Sequence, residues 1–79
     1  MNEEDKVHRA YINSYRVIFL GVDFDEIIDS KHPYFVHNPA RRIPKKVNVK
    51  GILDYFVKIR DFKKCIVIKK YIKEKQISL

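Results

Sequence analysis

Glycine is nearly absent, with Gly21 and Gly51 the two examples in 79 residues. That excludes the Gly-rich phosphate loops of the Gly-x-Gly-x-x-Gly and Walker types, which need several glycines to bring backbone N–H groups against a ligand. Cysteine occurs once, as Cys65, so no internal disulfide can form. Inside an apolar run, Cys65 reads as a small buried hydrophobe in a reducing compartment. Zinc sites rely on close pairs of Cys and His. His32 and His37 lie across a Pro-rich stretch, and neither His8 nor Cys65 supplies a second close pair, so no metal is expected. Ser14, Ser30 and Ser78 have no recognisable nucleophile context. A non-enzymatic protein without cofactor is the expectation. No apolar run approaches the ~18–20 residues that a membrane-spanning helix needs. The acidic start Asn2-Glu3-Glu4-Asp5 is the opposite of a leader peptide, Met1 reads as the start of a complete gene product, and a cytoplasmic location follows.

Acidic residues are scarce in the second half. From Met1 to Ala40 there are four Lys/Arg against seven Asp/Glu; from Arg41 to Leu79 there are thirteen against three. The balances, −3 and +10, make up the net +7. Such a lopsided distribution attracts anions to one part of a surface. The competing reading is that lysine-rich segments chiefly confer solubility. The apolar fraction of 46% and aromatic fraction of 13% supply a core and argue against intrinsic disorder. A chain this short buries only about 60–65% of its extended surface, so a partner or homodimer formation would help to stabilise it.

The densest apolar and cationic stretch is Gly51–Ile72. As extended chain, Leu53, Tyr55, Val57 and Ile59 alternate against Asp54, Phe56, Lys58 and Arg60, the period of a strand. Lys64 to Tyr71 alternates again, and Arg60-Asp61-Phe62-Lys63 would turn the chain between them. As helix, Ile52, Phe56, Ile59, Phe62 and Ile66 fall at three- and four-residue spacing. Composition favours strands: eleven Ile, eight Val, five Tyr and five Phe stand against three Leu and two Ala, and β-branched and aromatic residues suit a pleated surface.

Earlier in the chain, Asn2–Asp5 would cap and start a helix. Its face of Val7, Ala10, Tyr11, Ser14, Val17 and Ile18 would end at Gly21. Alternatively a strand runs from Tyr11 to Val22, and a short helical start followed by that strand is preferred. Asp23 is a good N-cap for a short helix near Asp23–Ser30, with Glu26 three residues on. From His32 to Lys46 three prolines impose an irregular connection. Val47-Asn48-Val49 reads as a short strand. The expected fold is a single small α+β domain over 1–79: an N-terminal strand, a short acidic helix, a Pro-rich loop and a C-terminal basic hairpin, with 1–7 and 74–79 frayed. The alternative is an all-α three-helix arrangement.

Val17–Asp25, an apolar run followed by Asp-x-Asp, resembles the opening motif of haloacid-dehalogenase-type phosphotransferases, where a first Asp attacks phosphorus and a second handles the leaving group. Ile27 stands where that motif has a small hydroxyl residue, and the chain lacks length for the downstream loops; capping by Asp23 accounts for the same residues. Val49–Phe56 looks like the Val-x-Gly-x-Leu-x-x-Phe start of Sm-like motifs, in small barrels that bind RNA. Val57 stands where that family's uridine-contacting Asp belongs.

Two functional expectations follow. Arg41, Arg42, Lys45, Lys46, Lys50, Lys58, Arg60, Lys63, Lys64, Lys69 and Lys70 would neutralise phosphates, giving salt-sensitive nucleic-acid binding with low sequence specificity. Tyr34, Phe35 and Tyr55 would stack on unpaired bases, although each also suits a core or loop-anchoring role. The alternative is a small protein-binding adaptor or inhibitor, of the type mobile elements encode, docking on an acidic partner protein.

Overall fold

In a computed structural model, residues 2–41 and 43–79 are described. Among them are four helices and no strand: α1 (Glu3–Leu20), α2 (Phe24–Ile28), α3 (Lys46–Lys58) and α4 (Phe62–Glu74). The α+β expectation is therefore overturned, and the all-α alternative matches. The chain divides into two compact units, residues 1–44 and 45–79.

In the first unit, α1 starts as its sequence directs. The Asn2 side chain accepts the Asp5 N–H at 2.8 Å, and Glu3, Glu4 and Asp5 place negative charge at the positive end of the helix dipole. The Tyr11–Val22 strand does not form, because the helix continues to Leu20. It stops at Gly21, whose φ of 70° is a left-handed conformation open to glycine at little cost. That turn brings the N–H groups of Gly21 and Val22 to the Arg16 carbonyl. The β-branched residues are accommodated because α1 buries Ala10, Asn13, Ser14 and Tyr15. Packing of that face outweighs a propensity penalty of at most several tenths of a kcal/mol per residue.

Asp23 caps α2 as the sequence indicates, accepting the Asp25 N–H at 3.0 Å. This role accounts for Asp23 of the Asp-x-Asp pair. Past Ser30 the Pro-rich segment is irregular, and α1 holds it by two buried polar residues. Both hydrogens of the Asn13 amide are engaged, donating to the carbonyls of His32 at 2.7 Å and Tyr34 at 3.0 Å. The Ser14 hydroxyl accepts the Val36 N–H at 2.9 Å and meets Nδ1 of His37 at 2.7 Å. These bonds supply the backbone partners that an irregular segment must find outside regular structure.

The second unit is a helical hairpin rather than a β-hairpin. Helix α3 buries Val49, Ile52 and Phe56, and α4 buries Cys65 and Ile68. These are helical spacings of three and four, and the two helices pack on one another. Each large side chain so buried contributes about 1.5–3 kcal/mol, which overrides the β-branched composition. Val47-Asn48-Val49 opens α3 instead of forming a strand. The turn lies close to where the sequence put it, at Ile59–Asp61, but joins helices. Arg60 takes a φ of 61° there, the conformation that glycine would adopt with less strain. Asp61 then caps α4 through the Lys64 N–H and binds the Lys64 ammonium at 2.9 Å. Lys64 also lies over the Phe56 ring, 5.8 Å from its centroid, which ties the start of α4 to the end of α3.

Candidate functional site: the cationic helical hairpin

Residues 45–79 hold eleven Lys/Arg against three Asp/Glu, a balance of +8, whereas residues 1–44 hold six against seven, a balance of −1. The excess positive charge thus belongs to one folded unit. Its three carboxylates each meet a lysine nearby in sequence. Lys50 binds Asp54 and Lys64 binds Asp61, both at 2.9 Å, and Lys70 approaches Glu74 at 4.0 Å. Lys46, Lys58, Arg60, Lys63 and Lys69 are exposed and make no ion pair among the described residues.

Several of these cations sit where helix electrostatics disfavours them. Lys45 is the N-cap of α3 and makes no side-chain capping bond, Lys46 begins the helix, and no acidic residue occupies its first turn. Lys63 falls in the first turn of α4, where the one nearby carboxylate, the Asp61 N-cap, is already bound to Lys64. A cation at the positive end of a helix dipole costs about 0.3–1 kcal/mol. Local rules broken in this way are expected where a surface is used for something other than stability.

Arg41 belongs to the first unit, where its Nε donates to the Ile43 carbonyl at 2.9 Å. Arg42 lies outside the described residues. The aromatic candidates divide between the units. Tyr34 stacks on His32 at 6.4 Å and Phe35 packs edge-on to His37 at 5.9 Å, both in the Pro-rich segment. Tyr55, on α3, meets Phe56 at 5.2 Å. All three are half-buried.

What the sequence did not reveal is that Phe62 and Ile66 face outward. They fall on the apolar helical stripe that suggested a core, yet Phe62 is 59% and Ile66 67% exposed. The buried register of α4 is set one residue away, by Cys65 and Ile68. Phe62 and Ile66, four apart, share a face that continues into Lys69, Lys70 and Lys73, with Lys63 beside it. Val57 and Ile59, near and in the turn that precedes α4, are also exposed. The only sequence signal was that α4 carries more apolar residues than one stripe can bury.

Among the described residues no three His, Cys, Asp or Glu side chains come together as metal ligands, and no helix is long and apolar enough to cross a membrane. No protein family is matched by the chain, and no curated protein or solved structure is significantly similar to it.

Proposed function

We propose that this protein is a small protein-binding adaptor or inhibitor, and that the outward face of α4 docks on an acidic partner protein. The observation behind this reading is the exposed Phe62–Ile66 pair set among lysines. A phosphate backbone calls for cations alone, whereas protein interfaces combine an apolar, aromatic centre with a polar rim. An amphipathic helix that lays spaced apolar anchors into a groove is a recurrent mode of peptide and protein recognition. Here the anchors are Phe62 and Ile66, and Lys63, Lys69, Lys70 and Lys73 form the rim. The complementary groove would be apolar and edged with Asp and Glu. Rim lysines chiefly accelerate association and select the partner, and buried anchors set the lifetime of the complex.

The test is affinity capture from nuclease-treated extract of the producing cells. Three chains are compared: the wild type, Phe62→Ser/Ile66→Ser and Lys69→Gln/Lys70→Gln/Lys73→Gln. Retention of one acidic protein in stoichiometric amount, lost with the first variant and weakened with the second, supports the proposal. Material that disappears with nuclease, or that both variants retain, contradicts it.

A second reading, nucleic-acid binding, draws on the +8 balance of residues 45–79. It requires the affinity for oligonucleotides to fall steeply with salt, and the slope to drop by about one for each phosphate-contacting lysine removed. A flat salt response removes that reading.

A further inference from the structure

The first unit holds a polar pocket that neither reading uses. It has a volume of about 280 Å³ and is lined by Arg9, Asn13, Arg16, Glu26, Ile27, Ser30 and His32. Its origin is legible in α1. Arg9, Asn13 and Arg16 stand at i, i+4 and i+7, a single helical stripe, so the two guanidinium groups lie one above and one below a buried asparagine. That asparagine braces the wall rather than offering a donor, since both its amide hydrogens reach the His32 and Tyr34 carbonyls. The Ser30 hydroxyl is likewise occupied, donating to the Ile27 carbonyl and accepting the His32 N–H at 3.3 Å. Arg9 and Arg16 make no ion pair among the described residues. Each guanidinium keeps a planar fork of N–H donors, and His32 lines the same pocket.

We infer that this pocket binds the phosphate group of a small phosphomonoester. Two forks approaching from different turns of one helix suit a tetrahedral dianion, which offers oxygen acceptors in several directions; a planar carboxylate is satisfied by a single fork. The volume lies just below the 300–1,000 Å³ usual for drug-sized ligands. It therefore fits a phosphorylated compound of a few carbons rather than a dinucleotide or a polymer. Glu26 is the opposing charge in the lining. It opposes any bound anion and so gives the assignment a sign that can be checked.

The test uses the full chain and follows backbone and arginine Nε–H resonances by NMR. Inorganic phosphate and glycerol 3-phosphate are titrated separately against chloride at matched ionic strength. The expected result is saturable shifts at Arg9, Asn13, Arg16, Ser30 and His32, with glycerol 3-phosphate binding more tightly than inorganic phosphate. Losing charge-assisted hydrogen bonds from one guanidinium weakens binding by about tenfold or more, so Arg9→Gln and Arg16→Gln should each show that loss. Glu26→Gln should tighten binding by about fivefold through relief of repulsion at a partly exposed site. All three residues are exposed, and circular dichroism verifies the fold of each variant. The inference is overturned by shifts that do not saturate, by shifts confined to the lysines of α3 and α4, by unchanged affinity in both arginine variants, or by weaker binding in Glu26→Gln.

Discussion

Replacing Ser14 with alanine should loosen the Pro-rich segment from α1. Ser14 has no exposed surface, and its hydroxyl serves two groups at once, the Val36 N–H at 2.9 Å and His37 Nδ1 at 2.7 Å. Alanine leaves nearly the same volume, so there is no cavity cost to confuse the result. An orphaned buried polar group costs about 1–3 kcal/mol. Val36 and His37 are both half-buried, so water reaches part of what is stranded and the lower end of the range applies to each. The sum is about 2–3 kcal/mol, or roughly 10–20 °C in Tm for a domain of this size. Urea unfolding gives the magnitude, and amide exchange gives the location: the Val36 amide should lose protection while the amides of α4 keep theirs. A loss under about 0.5 kcal/mol with the Val36 amide unchanged would refute the view that this hydroxyl anchors the segment.

The same anchor makes stability depend on pH. Burial holds the His37 imidazole below its ordinary value of 6.5, so the unfolded chain takes up a proton more readily than the folded one. Stability from this group is complete above 6.5 and falls as the pH drops through and below that value. Thermal melts between about pH 7.5 and 5 should show the decline, and His37→Phe should flatten it. Gly51 occupies the interior of α3, and a Cβ built there meets nothing within 4 Å; Gly51→Ala should therefore stabilise the chain by about 0.5–1 kcal/mol in urea unfolding. Gly21→Ala should do the reverse by about 1 kcal/mol, because the φ of 70° strains any Cβ. Arg60→Gly relieves the left-handed turn between α3 and α4 and should raise stability by up to about 1 kcal/mol, measured in the same way.

Caps and breaks were readable in the sequence. Asn2, Gly21 and Asp23 act through their own backbone and side-chain chemistry, and the three prolines interrupt any helix interior or central strand where they stand. The course of the chain between those marks was not readable, because it depends on what is buried. Val17-Ile18-Phe19-Leu20 suits a central strand as well as a helix, and only the polar pair Asn13–Ser14, reaching the Pro-rich segment from the turn before, shows which applies. Residues 52–72 carry both a period of two and a period near 3.6, and Val49, Ile52, Phe56, Cys65 and Ile68 decide between them by packing. The cationic excess was legible as a count. Its meaning changed once Phe62 and Ile66 turned outward among the lysines, a placement that depends on which of two apolar stripes of α4 is buried. Arg9 and Arg16 carry no signal in the sequence, since their pocket exists only when α1 is helical and the segment around Ser30–His32 lies against it.

A photo-crosslinking amino acid at position 66, in the producing cell, tests the docking face of α4 most directly, with position 29 on an exposed part of the first unit as the control. A covalent adduct to one acidic protein from position 66, persisting after nuclease treatment and absent from position 29, is the predicted result. Adducts to nucleic acid, or equal adducts from both positions, would contradict the assignment of that face.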